Sequence, residues 1–338
     1  DVGRTFNTEP EEWRATQLYT GAVAEYPAWF TPTREPDGSW SAYHADGTLI
    51  ASMPEGAAFF DETCFPYQEG YPDDWSGLDE AMDKVLWSAL VHSPWDNASR
   101  PGFWERLREN ALELRRTSDR AIMVVIGCNL FEWGTFLRRI DNFLMDLMLE
   151  PANVESLLDA LMERHLATLE KVCAAVGDVA DIVRFGDDLG TDAGPFMQPE
   201  IYRTLFKHRH RILTDYVKAN SSMRSFLHSC GSLDKLLPDI IEAGFEILNP
   251  VQTNARGMEP AYLKKEFGRD ITFWGGGIDT RTVLNSGTPD QVRAQTLERL
   301  EVFSRGGGYV FNTVHNILPD VPPQNIVAMF DAVAEFNG

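Results

Sequence analysis

A histidine and a cysteine two positions apart, His228 and Cys230, are the residues whose types and spacing speak most directly of chemistry in this chain. On an extended backbone successive side chains alternate sides, so positions 228 and 230 project the same way. An imidazole and a thiolate aimed together are a donor pair with which proteins hold zinc. Taken alone, the pair is a weak signal. His315, far along the chain, offers a third donor. The structural alternative for the whole set is a buried cysteine with two hydrogen-bonded histidines. Three protein ligands with a fourth position open are the catalytic form of a zinc site. Asp187, Asp188 and Asp279 are carboxylates that would cap or support it. Asp187 and Asp188 are adjacent and therefore point opposite ways. One is expected to face the site as base, anchor or metal partner, and the other to cap a helix or pair with a base.

The elements that would position these groups follow a regular rhythm from residue 121. Apolar runs at 121–127, 181–186, 224–228, 246–249, 271–274 and 309–312 read as strands. Helical stretches are expected near 136–176, 199–219, 232–243, 259–267, 288–305 and 323–336. Strands alternating with helices predict a parallel sheet. Each strand is followed by polar residues: Cys128 and Asn129; Asp187 and Asp188; His228 and Cys230; Asn249 and Gln252; Asp279; His315 and Asn316. In a barrel such positions converge on one mouth, which favours a (β/α)8 TIM barrel over an open doubly wound sheet. One domain over 1–338 is expected, with an irregular part over 1–118 and regular units over 119–338. In the irregular part, 39–43 and 48–52 flank Ala45-Asp46-Gly47 and predict a β-hairpin. Helices are expected over 78–92 and 101–117.

The other candidates are weaker. Gly275-Gly276-Gly277 and Gly306-Gly307-Gly308 lack phosphate-loop spacing and suit backbone crowding at strand ends. His208 and His210, among Lys207, Arg209 and Arg211, are expected on a solvated basic helix face. His165 is expected on a helix surface, and His44 and His92 lie outside the repeating units.

Composition bounds the partners. With 30 basic and 51 acidic residues the formal net charge is −21, which argues against nucleic acid and anionic membranes. No run of some 18 apolar residues is present, so no membrane span is expected. Four scattered cysteines without a CxxC pair, and no leader-like segment, predict a cytoplasmic protein with reduced thiols. The oligomeric state is not legible.

Phe226-Leu227-His228-Ser229-Cys230-Gly231-Ser232 and Ile247-Leu248-Asn249-Pro250-Val251-Gln252 resemble the uroporphyrinogen decarboxylase superfamily. So do Gly186–Thr191, Trp274–Thr280 and Val314-His315-Asn316-Ile317. The resemblance spans about residues 121–336 and implies a (β/α)8 barrel. The superfamily's decarboxylases are metal-free and use arginines near the N-terminus, for which no matching segment occurs here. Its corrinoid-dependent methyltransferases, including the methylcobamide:coenzyme M type, hold zinc with an H-x-C pair and a later cysteine. His228 and Cys230 match the pair, and His315 stands where the later cysteine would be. With two histidines and one thiolate the zinc site would carry a formal charge of about +1, suited to polarising an ether-, alcohol- or amine-type leaving group. The resemblance thus implies a zinc-dependent methyltransferase moving a methyl group between a small methylated substrate, such as a methoxy compound, and a corrinoid protein. Asp187 or Asp188 would orient substrate or relay a proton. Asn249, Gln252, Asp279 and Asn316 would bind it, with Phe131, Trp133 and Trp274 as walls, and the acidic surface would dock the corrinoid carrier. A metal-independent decarboxylase of another carboxylate and a non-catalytic ligand-binding barrel are the alternatives.

Overall fold

In the computed structural model, residues 13–17, 23–27, 31–57, 59–86, 98–318 and 320–338 are described. His92 and the end of the helix expected over 78–92 lie outside them. The chain forms two compact units, residues 1–122 with 132–179, and residues 123–131 with 180–338.

The first unit carries the antiparallel strands. β1 (Trp13–Gln17) pairs with β2 (Val23–Pro27). A four-stranded meander follows: β3 (Thr33–Arg34), β4 (Trp40–Tyr43), β5 (Leu49–Met53) and β6 (Asp61–Glu62). The β4–β5 turn is the expected hairpin, and Asp46 Oδ1 accepts the Thr48 N–H at 2.9 Å, an Asx-type turn. Ala42, Ile50 and Ala51 form its small core. Helices α1 (Leu78–Asp83) and α2 (Phe103–Thr117) come next.

The single helix expected over 136–176 is three: α3 (Phe131–Arg138, whose first residue falls in the second unit), α4 (Ile140–Leu149) and α5 (Pro151–Val176). Arg139 breaks the first junction with φ of 67°. Pro151 makes the second, because proline fits a first helical turn and not an interior one. His165 is buried on α5 rather than exposed. The long helix is apolar on more of its circumference than a surface helix would be.

The second unit is the strand–helix alternation. Its strands are β7 (Met123–Gly127), β8 (Ile182–Gly186), β9 (Arg224–His228), β10 (Ile247–Asn249), β11 (Thr272–Trp274) and β12 (Tyr309–Val310). They pair in parallel and in chain order, a mixed α/β architecture. Among the described residues the sheet is a run of six, and no pairing joins its two edges. α6 (Pro199–Ile201) passes through a π-helical turn, Tyr202–Lys207, into α7 (His208–Asn220). α8 (Leu237–Glu242), α9 (Pro260–Phe267), α10 (Val283–Ser286), α11 (Pro289–Phe303) and α12 (Pro323–Asn337) follow. Thr288 and Gln291 close a capping box on α11, satisfying two amides that its first turn leaves open. No described helix is long and apolar enough to cross a membrane.

Candidate metal centre

Strand alternation sorts the sheet's side chains onto two faces. Arg184 pairs in register with Phe226, Gly186 with His228, Ile247 with Phe226, and Asn249 with His228. All of these share one face. Its floor is apolar: Ile182, Phe226 and Ile247 form a buried cluster against Met123 and Trp274. The Trp274 ring meets Phe226 edge-on at 5.4 Å. His228 and Asn249 stand beyond this floor, at the C-terminal strand ends.

There the ligand atoms of Asp188, His228 and Cys230 all lie within 4.8 Å of one another. Cys230 Sγ is 3.7 Å from His228 Nε2, and Asp188 Oδ1 is 3.9 Å from the same nitrogen. The Cys230 backbone N–H donates to Asp188 Oδ1 at 2.8 Å, tying the carboxylate to the cysteine loop. The imidazole is oriented from behind. His228 Nδ1 donates to Asn249 Oδ1 at 2.6 Å, and the Asn249 amide N–H donates to the Trp274 carbonyl at 2.9 Å. A carbonyl can only accept, so it settles which way the Asn249 amide faces and hence which imidazole nitrogen holds the proton. Nε2 is left with its lone pair towards Cys230 and Asp188. Burial, then the Arg184 charge, holds the His228 pKa below its ordinary value against the opposing pull of Asn249 and Asp188. A neutral, oriented imidazole, a thiol and a carboxylate fit a thiophilic divalent cation, whose charge the two anionic donors would neutralise, so this donor set gives a formally neutral site and not the +1 expected with His315 as the third ligand.

The cysteine loop is held by its neighbours. Gln252 Oε1 accepts the Gly231 N–H at 2.9 Å, Gln252 Nε2 donates to Asp192 Oδ1 at 2.6 Å, and Arg281 Nη1 donates to Asp192 Oδ2 at 2.6 Å. Gly231 has φ of 89°, and a side chain there would overlap the Gly190 backbone. A Cβ on Gly190 would in turn come within 2.7 Å of the Cys230 carbonyl oxygen. The 190 and 231 loops therefore meet backbone to backbone, and the Ser232 N–H donates to the Thr191 carbonyl at 2.8 Å. Ser229 Oγ accepts the Leu189 N–H at 3.1 Å.

The remaining expected site residues divide as follows. Asp187 is fully buried and faces away from the cluster. Its Oδ2 accepts the N–H groups of Leu130 and Phe131 at 3.2 and 3.0 Å. Phe131 is buried against Phe196 and Phe206. Trp133 belongs to the first unit, edge-on to Phe136. Asp279 caps its own turn, accepting from Arg281 N at 2.8 Å and Thr282 Oγ1 at 2.8 Å. His315 is not among the three gathered donors. It is exposed, close enough for its charge to act on His228, and lines a cavity with Asn316 and Gln252.

One group escaped the sequence reading. His210 is buried, not on a solvated face. Its Nδ1 meets the Tyr202 hydroxyl at 3.0 Å, and its Nε2 faces Asp187 Oδ2 at 3.4 Å. His208 is exposed as expected. The π-helical turn inserts backbone ahead of α7 and rotates the face that His210 presents, which charge periodicity does not report. Burial, with the Asp187 charge, raises the Tyr202 pKa well above its ordinary value, so the phenol stays protonated.

Parallel strand–helix units with a thiol, an imidazole and a carboxylate gathered past their C-terminal ends define an α/β protein with a candidate catalytic metal centre. The chain belongs to the uroporphyrinogen decarboxylase family: the family model described as Uroporphyrinogen decarboxylase (URO-D) matches residues 131–336, about three fifths of its length. Curated relatives match over short stretches. The uroporphyrinogen decarboxylase of Pseudoalteromonas translucida (strain TAC 125) is 45% identical over 51 residues, 15% of this chain and 14% of that protein. That of Legionella pneumophila (strain Lens) is 36% identical over 77 residues, 23% of this chain and 21% of that protein. The matched stretches thus span about a seventh to a fifth of these relatives' length. Among solved structures, a methyltransferase from Methanosarcina mazei is similar with a TM-score of 0.59 at 20% identity, covering 85% of this chain and 75% of that one. That likeness is one of fold.

Proposed function

We propose that this chain is a zinc-dependent methyltransferase that moves a methyl group between a small methylated compound and a corrinoid carried by a partner protein. The observation that carries the reading is the convergence of Asp188, His228 and Cys230 ligand atoms within 4.8 Å, behind which Asn249 fixes the imidazole tautomer. Membership of a family of enzymes and the fold shared with a methyltransferase support it.

Asp188, His228 and Cys230 would hold the metal. Bound there, zinc supplies Lewis acidity towards the substrate heteroatom that carries the methyl group. The chain's own residues prepare the place. His228 stays neutral because burial and the Arg184 charge oppose its protonation, so its Nε2 lone pair is available at neutral pH. Asn249 and Trp274 hold that nitrogen in direction. The Phe226–Trp274 floor keeps water from one side of the site, which strengthens electrostatic interactions in it. His315 and Asn316, on the adjoining cavity wall, face the substrate and supply hydrogen bonds or a proton. The net charge of −21 suits a carrier with a basic docking face.

Elemental analysis of protein purified without chelators is the test. Stoichiometric zinc is expected in the unaltered chain, with loss in Cys230→Ser, His228→Ala and Asp188→Ala. His315→Ala should retain zinc but lose demethylation in the presence of reduced corrinoid. Protein that purifies metal-free and takes up no added zinc sinks the reading, and favours a decarboxylase acting through the charge of Arg184 on the same sheet face.

A further inference from the structure

Beside the metal cluster lies a cavity of about 430 Å³, the liquid volume of roughly fourteen waters. Its lining is mixed in character. Val314 and Leu318 give it an apolar wall, while Arg281, His315 and Asn316 face it with polar groups. Arg281 is held in place from behind, since Asp192 takes one N–H of its guanidinium and is itself held by Gln252. A guanidinium carries five N–H donors in a rigid fork, and Asp192 uses a single one here. The hydrogen bond to Asp192, and the charge behind it, raise the Arg281 pKa, so the cation persists at any working pH. Asp320, the acidic residue of the described lining, accepts from the Asn285 amide at 3.0 Å. Gln252 links the cavity to the metal cluster, since it lines the one and its Oε1 accepts the N–H of Gly231, the residue after Cys230.

We infer that this cavity seats the anionic end of an amphipathic small molecule. A carboxylate lies against the Arg281 fork and the His315–Asn316 edge, and an aliphatic or ring-shaped body lies along Val314 and Leu318. The inference rests on the methyltransferase reading only in taking this ligand to be the methylated substrate. On that reading the substrate is a methylated carboxylic acid, anchored at one end while its methyl-bearing heteroatom reaches the cluster. Two donors on a planar fork match a carboxylate's two oxygens, which a neutral amide reproduces poorly.

Hexanoate, hexanamide and hexylamine share one body and differ only in the head group. Binding of each to the full unaltered chain is measured by isothermal titration calorimetry at neutral pH. Hexanoate is expected to bind about tenfold or more tighter than hexanamide, from charge-assisted bonds to Arg281. Hexylamine is expected to bind weakest. Arg281→Gln should abolish the preference for hexanoate while the zinc content stays unchanged. Equal affinities for the three, or a preference for hexylamine at Asp320, overturn the inference. Because no turnover is measured, the outcome is independent of the proposed reaction. Carboxylate selectivity in a protein that fails to demethylate leaves the cavity assignment standing and removes the methyltransferase reading. Demethylation without carboxylate selectivity does the reverse.

Discussion

Replacing Asn249 with alanine removes the acceptor behind His228 without touching any of the three gathered donors. Asn249 is buried, and its Oδ1 accepts from His228 Nδ1 at 2.6 Å. Losing that hydrogen bond costs about 1 kcal/mol, and leaving the Nδ1–H stranded in a half-buried site costs about 1 kcal/mol more. The imidazole can then flip its tautomer and place its proton on Nε2, where the lone pair is needed. Together these correspond to about a thirtyfold loss of zinc affinity, within the range of about 10–100-fold typical of groups that orient a ligand from behind. Competition against a chromophoric chelator reads the change directly, with circular dichroism as a check that the fold persists. Zinc affinity within threefold of the unaltered protein would refute the claim that Asn249 sets the donor nitrogen, and would leave His228 outside the metal site.

Other outcomes follow from separate parts of the molecule. Burial pushes the Glu62 carboxyl up to about 8, so the folded state binds a proton that the unfolded chain releases above about 4.5. The folded pKa is the raised one, so this stabilisation is complete below the unfolded pKa and is lost as pH rises through 8. Glu62→Gln should therefore gain about 2 kcal/mol over the parent at pH 9, after allowing for partial solvent screening, and little at pH 4, by urea denaturation; parallel pH profiles would contradict this. Asp187→Asn keeps the shape but loses an anion that accepts two backbone N–H groups. A loss of about 2 kcal/mol in unfolding free energy is expected, with zinc retained, so loss of zinc at unchanged stability would reassign Asp187 to the site. Gly231→Ala forces a Cβ into the Gly190 backbone at positive φ, and a cost above about 2 kcal/mol is expected by thermal melting, which an unshifted transition would disprove.

The chemistry of the site was partly written in local spacing. The period of two of an extended chain suggests that positions 228 and 230 act together and that Asp187 and Asp188 diverge; in the fold Cys230 and both aspartates lie just past the strand ends, where one aspartate joins the cluster and the other is buried as a backbone acceptor. The strand–helix rhythm from residue 121 likewise follows from hydrophobic pattern and holds at every strand. Which of the two aspartates would join the pair was not legible. That choice depends on the register that sets Gly186 against His228, a long-range pairing with no local signature. The same limit applies to His315. Its type and strand-end position match a ligand, yet it sits on the wall of the adjoining cavity because the loop after β12 decides where it points. His210 shows the limit from the other direction. Its neighbours in sequence are basic and its surroundings in space are Tyr202, Phe245 and Asp187. A side chain's type and its phase along a strand or helix are local properties, readable from neighbours a few residues away. Its partners across the sheet, and the rotation that one π-helical turn imposes on everything after it, exist only once distant segments have packed together.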